Sequence, residues 1–457
     1  MKKQMINSSL FLCFIALTGA VIAGLVWLYL KIANVGITVI WEMIPAYIDS
    51  RYYTILMCLA GGVAIGLFHR VYGPYPERMA DSVKRVKDTG TYPYRKLPMI
   101  VAASFLSLFF GGAVGPESGL VSLLLGLCCW AMDQFGLARW KMDTLLAGNP
   151  YIMKKELFRV MAAGLFLPPD QIVYDKGKIE WKRKEQVAAG VTAGLTGLAV
   201  YELLNLIFGR CLSVPHLQGG VLVLRDKLAV ILLIVVGIAT GYLFLIFQKL
   251  SNWFFGKMRE KHLAVLNAVL GGLILGLIGT ALPMTMFSGG SDIQAMQYEY
   301  LKYTPYLMIL IGVVKLFLTN VCIASGWRGG HFFPMIFSGF SIGYGFAAIF
   351  HTNEIVSVIL VTGALIGTVL QQPLGAALEV FRLFPGHGRA PVPGGVSSWS
   401  IGTFSGLFPD EKFWLDAAGV HGGWLCAGSC GASYQSGQQG LCIQNDTYEK
   451  TWEISPG

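Results

Sequence analysis

Between residues 99 and 130 an apolar run gives way to Gly111-Gly112-Ala113-Val114-Gly115-Pro116-Glu117-Ser118-Gly119, and a second apolar run follows. The interruption divides a segment otherwise long enough to cross a bilayer. In hydrocarbon, backbone that leaves the helix survives only where other protein covers it or where it lines a polar cavity. Pro116 suits the first turn of a new helix, where its missing N–H is no loss. The glycines allow backbone to approach a neighbour or a ligand closely. The pattern therefore predicts a helix N-terminus buried at membrane depth. Its free N–H groups and partial positive charge form an anion site.

Hydrophobic residues make up 54% of the 457-residue chain and charged residues 13%, which indicates a membrane protein and excludes a soluble enzyme. Charge-poor stretches long enough to cross fall at residues 5–30, 53–68, 187–208, 228–247, 263–286, 306–323, 332–350 and 355–370. The first has no Ala-x-Ala-like cleavage site and is too long for the apolar part of a signal peptide, so it reads as a membrane helix. The net charge of +9 is concentrated in the basic stretches 70–96 and 154–184. By the positive-inside rule these are cytoplasmic, together with the Met1-Lys2-Lys3 terminus, in a multi-pass protein of the cell membrane. Basic charge that flanks membrane spans gives no reason to expect nucleic-acid binding. The nine cysteines show no paired metal-ligand spacing, and neither a metal nor a cofactor is expected.

The chain also repeats itself. Gly61-Gly62-Val63-Ala64-Ile65-Gly66-Leu67 recurs as Gly271-Gly272-Leu273-Ile274-Leu275-Gly276-Leu277, each followed by a turn, at Gly73-Pro74-Tyr75-Pro76 and at Ser288-Gly289-Gly290-Ser291. The broken helix at Gly111 is matched by Ile323-Ala324-Ser325-Gly326-Trp327-Arg328-Gly329-Gly330-His331-Phe332-Phe333-Pro334-Met335. Leu165-Phe166-Leu167-Pro168 lines up with Leu370-Gln371-Gln372-Pro373. Close helix packing accounts for small residues such as Gly61 and Gly66. It does not account for Gly-Pro and Gly-Gly breaks inside apolar runs. Two halves interrupted at corresponding places indicate an all-α transporter fold with inverted repeats and a ligand site between them. The halves are about residues 50–208 and 260–385, within a transmembrane domain of residues 1–385.

These motifs resemble those of the CLC family of chloride channels and anion/proton exchangers. The family's third signature, Gly-x-Phe-x-Pro, matches Gly330-His331-Phe332-Phe333-Pro334. Its second, Gly-(Lys/Arg)-Glu-Gly-Pro, is similar to Gly112-Ala113-Val114-Gly115-Pro116. The resemblance runs over residues 5–385. It implies a homodimer in the lipid bilayer with one pathway per subunit for chloride or a similar small anion. Amides of His331, Phe332 and Phe333 would hold a central anion, and those around Gly115 (Gly112, Ala113, Val114) an outer one. Amide dipoles attract an anion without a full opposite charge, so that it can still leave.

Three departures from the family bear on mechanism. The first signature, Gly-Ser-Gly-Ile-Pro, is met only by Gly73-Pro74-Tyr75-Pro76-Glu77, which lacks the serine. An amide or the Tyr75 hydroxyl would have to substitute. Val114 stands where the family has its gating glutamate, and valine neither titrates nor mimics an anion. Glu117 reads either as a displaced gate or as a first-turn acid favoured by the helix dipole. No glutamate falls in place for an inner proton acceptor in the stretch Asp170-Gln171-Ile172-Val173-Tyr174-Asp175. The resulting expectation is passive anion transport by a channel or uniporter. A proton-coupled exchanger using Glu117 is the alternative, and a degenerate homologue that no longer transports is another. A membrane-embedded hydrolase with Ser325 and His331 is the rival from a different class; it lacks a third group and a defined nucleophile–base geometry, so no catalytic residue is expected. His331 has both a pH-sensing and a packing reading, and Arg328 either attracts anions or pairs with a neighbour. Residues 386–457 turn polar and rich in Gly and Ser, a composition expected to be poorly ordered. Tyr434, within that tail, has no helical context that would bring it to an anion.

Overall fold

The computed structural model describes residues 2–371, apart from 49, 51, 79–80, 83, 87–91, 147–182, 210–226 and 261–262. All of these belong to the unit Met1–Pro409; a second unit, Asp410–Gly457, lies outside the described residues, as does the whole 386–457 tail. Among the described residues the protein is helical and has no strand. In chain order the helices are α1 (Lys2–Thr38), α2 (Tyr53–Tyr72), α3 (Leu97–Phe109), α4 (Glu117–Leu146), α5 (Arg183–Phe208) and α6 (Lys227–Glu260). There follow α7 (Ala264–Ala281), α8 (Gly290–Glu299), α9 (Pro305–Ser325), α10 (Phe332–Phe350) and α11 (Glu354–Leu370). Among the described residues seven stretches are long and apolar enough to cross a membrane, and those of α4 and α11 are shorter. The protein is an integral membrane protein.

Most spans fall where the apolar runs predict, with two informative differences. The first span continues beyond residue 30, as Leu12–Met43, because Lys31 does not end it. Its ammonium donates to the carbonyl of Phe208 at 3.0 Å, serving an orphan acceptor at the C-terminus of α5. The span expected at residues 263–286 ends instead at Ala281, where Pro283 opens a tight turn over Pro283–Thr285.

Glycine brings the two repeats together. α2 and α7 pack antiparallel through their matching Gly-Gly-x-x-x-Gly faces. A Cβ on Gly62 would lie 2.6 Å from the Ala268 carbonyl oxygen, and one on Gly276 would lie 2.9 Å from the Ile55 Cα. Without a side chain, the two backbones come into direct contact. Around them α1 packs on α5 and α6 on α11. α10 is the most enclosed of the spans, lying against α9 and α11. Between the halves lies an apolar cluster that includes Cys58, Ile65, Val114, Ala268, Leu318, Cys322 and Trp327. The fourth sequence match, residues 165–168 with 370–373, falls largely outside the described residues.

Candidate functional site

Two interrupted helices meet in the middle of the molecule. α3 ends at Phe109, and Gly111, at φ 84°, turns the chain in a conformation that favours glycine. Carbonyls exposed by the ending helix find partners from elsewhere. Phe109 O accepts the Trp41 indole N–H at 2.8 Å, and Gly111 O accepts the Phe287 N–H at 3.3 Å. α4 starts at Glu117, with the Leu120 N–H returning to Pro116 O at 2.9 Å, so Pro116 leads into the first turn as its chemistry predicts. In the second half, Gly326 at φ 111° ends α9. Trp327, fully buried, donates its indole N–H to Ala268 O of α7 at 2.9 Å. His331 then precedes the first turn of α10.

The joints are tied to each other. The Gly115 N–H donates to Gly330 O and the Gly330 N–H to Gly115 O, both at 2.8 Å. This reciprocal pair engages the amides of Gly115 and Gly330 with each other. The Gly112 N–H is bound to Ser107 O at 3.0 Å and that of Val114 to Gly112 O at 2.7 Å. Irregular backbone surrounded by protein must satisfy its own donors, and at this joint it does so with protein acceptors. Gly112, Val114, Gly115 and Gly330 therefore engage their amides within the protein. The Val114 side chain, fully buried, packs on Gly329, where a Cβ would lie 2.5 Å from its own.

What sits at the α10 N-terminus is Glu117. Its Oε1 accepts the Phe333 N–H at 2.6 Å, a short, charge-assisted geometry. The carboxylate thus caps the opposing half-helix, while Glu117 itself stands in the first turn of its own, as the first-turn reading had it. Its Oε2 is buried with no hydrogen-bond partner. Gly115 and Gly330 wall it in: a Cβ on Gly330 would lie 2.5 Å from the Glu117 Cδ, and one on Gly115 would press on both carboxylate oxygens. Of the amides assigned to a central anion, that of Phe333 is occupied by Glu117, and His331 and Phe332 stand beside it in sequence at the same helix end.

Other candidates are placed apart from this point. The His331 ring lies 5.7 Å from the Phe244 ring of α6. Ser325 donates to Cys322 O at 3.1 Å and packs against Gly271 of α7. The two hydrolase candidates thus face different helices. Tyr75, offered as a stand-in for the missing serine, accepts at its hydroxyl from Lys96 at 2.8 Å in an exposed position. Arg328 is already engaged within the protein. Residues 170–175 and Tyr434 lie outside the described residues.

The second half carries the family signal. The family profile described as "Voltage gated chloride channel" matches residues 184–392. Over that stretch the chain is similar to the CLC family. Curated relatives include the "Putative ion-transport protein YfeO" of Escherichia fergusonii, 26% identical over 374 residues, covering 77% of this chain and 82% of the relative. The protein of the same description from Salmonella paratyphi A is 26% identical over 363 residues, covering 77% and 83%. A CLC-type fluoride/proton antiporter shares the fold at a TM-score of 0.55 and 18% identity, over 87% of this chain and 95% of that one. A slow cyanobacterial Cl-/H+ antiporter does so at 0.52 and 16%, over 87% and 98%. The profile match leaves out the first joint, where Val114 and Glu117 stand.

Proposed function

We propose that this CLC-like chain moves chloride or a similar small anion across the cell membrane, in exchange for protons carried by Glu117. The observation behind this reading is the 2.6 Å bond from the Phe333 amide to the Glu117 carboxylate. A carboxylate at a helix N-terminus holds the place that a mobile anion would take, since both are bound by the same dipole and the same N–H donors. Ionised, Glu117 plugs the position. Protonated, it loses its charge–dipole attraction and its charge-assisted bond, and an anion replaces it on the amide. Arrival of the anion and binding of the proton are then coupled through one group. The reading of passive conduction drew on Val114 and on the absence of an inner acid. In this proposal Glu117, one helical turn on, takes the role that Val114 cannot fill.

Two further features accompany the proposal. The basic stretches 70–96 and 154–184 favour a cytoplasmic N-terminus, and the family resemblance favours a homodimer with a complete pathway in each subunit. Purified protein in sealed proteoliposomes tests the whole reading. A chloride or fluoride gradient should drive uphill proton movement, and Glu117→Gln should retain halide flux while abolishing the proton component. Halide flux without proton movement in the parent protein would establish passive uniport; absence of flux for every small anion would establish a non-transporting homologue.

A further inference from the structure

Lys315 lies within the α9 span and is fully buried. A charged side chain inside a membrane span is costly and is retained where partners hold it and where it serves a function. Its ammonium donates to Met286 O and, at 3.4 Å, to Met284 O. It also lies 4.7 Å from the centroid of the Phe337 ring on α10. Asp292, in the first turn of α8, is its electrostatic counterpart.

Both carbonyls belong to the connection between α7 and α8. That connection is strained: Phe287 has φ 54°, a left-handed conformation unfavourable for a bulky side chain. Phe287 is also the residue whose N–H reaches across to Gly111 O at 3.3 Å. Its ring meets Trp41 edge-on at 5.3 Å, and Trp41 holds the neighbouring carbonyl of Phe109. The Met286 side chain fills the space beside Gly111, where a Cβ would lie 2.6 Å from its methyl carbon. Lys315 therefore binds the carbonyl of the same peptide group whose N–H, that of Phe287, closes the end of α3 just before the joint.

We propose that Lys315 is a positioning residue for the anion junction. By drawing in the carbonyls of Met284 and Met286, it holds a strained segment of the second half across the broken helix of the first. The register of Gly111–Gly115 against Gly330 depends on that hold. Its effect on anion movement rests on the transport reading above; its effect on the joint does not.

Lys315→Arg, Lys315→Gln and Lys315→Met in the full chain separate the outcomes. Amide hydrogen exchange in detergent, read by mass spectrometry, should quicken by about tenfold over residues 109–117 and 282–290 in the Met variant, the loss expected for one net hydrogen bond of upper-range strength. α7 and α10 should be unchanged, Arg should restore the parent's protection, and Gln, a neutral donor, should fall between. In proteoliposomes the Met variant should raise the KM for chloride more than it lowers the maximal rate. Unchanged exchange over 109–117 in the Met variant would overturn the proposal. If the Met variant yields no folded protein, Arg and Gln decide by the same readout: a protected Arg variant with an accelerated Gln variant supports positioning, and equal acceleration in both refutes it. A parent protein that moves no chloride would refute the transport reading while leaving the exchange result to decide the role of Lys315.

Discussion

Replacing Glu117 by Gln tests the central contact with little change in shape. The amide side chain can still offer an oxygen to the Phe333 N–H, now 2.6 Å from Oε1, but it carries no charge. A hydrogen bond to a charged group contributes about 1.5–3 kcal/mol and a neutral one about 0.5–1.5 kcal/mol. The helix N-terminus adds roughly 0.3–1 kcal/mol for a negative charge, and more where the site is enclosed. The competitor at the α10 N-terminus is thus weakened by about 1–3 kcal/mol, so a halide that must displace it should bind roughly 5- to 150-fold more tightly. Calorimetric titration of chloride or fluoride into purified protein measures this directly. The parent should bind halide more tightly as pH falls, because protonation discharges the competing carboxylate. The Gln variant should bind tightly at every pH. Equal halide affinities in parent and variant, or a pH dependence that survives the substitution, would show that Glu117 does not share its position with the transported anion.

Three other perturbations address the scaffold. Gly62→Val should cost roughly 1–3 kcal/mol or more by overpacking, since a Cβ there meets the Ala268 carbonyl and, at 2.8 Å, the Val269 Cα; a lowered thermal midpoint checks this. Val114→Glu should reduce the yield of folded protein, because the carboxylate would enter the cluster of Cys58, Ile65 and Trp327 without a partner; a well-folded variant with acid-activated flux would show instead that Val114 borders the path. Asn353→Ala should cost about 1 kcal/mol, through loss of the cap that accepts from Ile355 N at 3.1 Å and Val356 N at 3.2 Å, visible as a thermal shift without change in halide affinity.

Elements governed by local chemistry were legible in the sequence. Glycine at Gly111, proline at Pro116 and the paired Gly-Gly-x-x-x-Gly motifs announced the first break, the helix start after it and close packing between helices. Features governed by distant partners were not. The partner of the Glu117 carboxylate lies 216 residues away in sequence, so its own helix dipole looked like a sufficient account. The acceptors that take the amides of Gly112, Val114 and Gly115, namely Ser107 O, Gly112 O and Gly330 O, are set by the folded backbone. Lys315 did leave a signal, a single cation inside an apolar run, but only the folded α7–α8 connection reveals what it holds.

The exchange of N–H and C=O between Gly115 and Gly330 has a consequence for how the protein is made. Neither half can complete its main-chain bonding alone. While the ribosome is still translating the second half, an inserted first half holds a donor and an acceptor at Gly115 that lipid cannot serve, at a cost of several kcal/mol for each bare group. The early segment must remain near water, a chaperone or a surrogate partner until Gly330 arrives. Two separately expressed fragments, cut within residues 210–226, should accordingly be degraded singly and accumulate only when synthesised together.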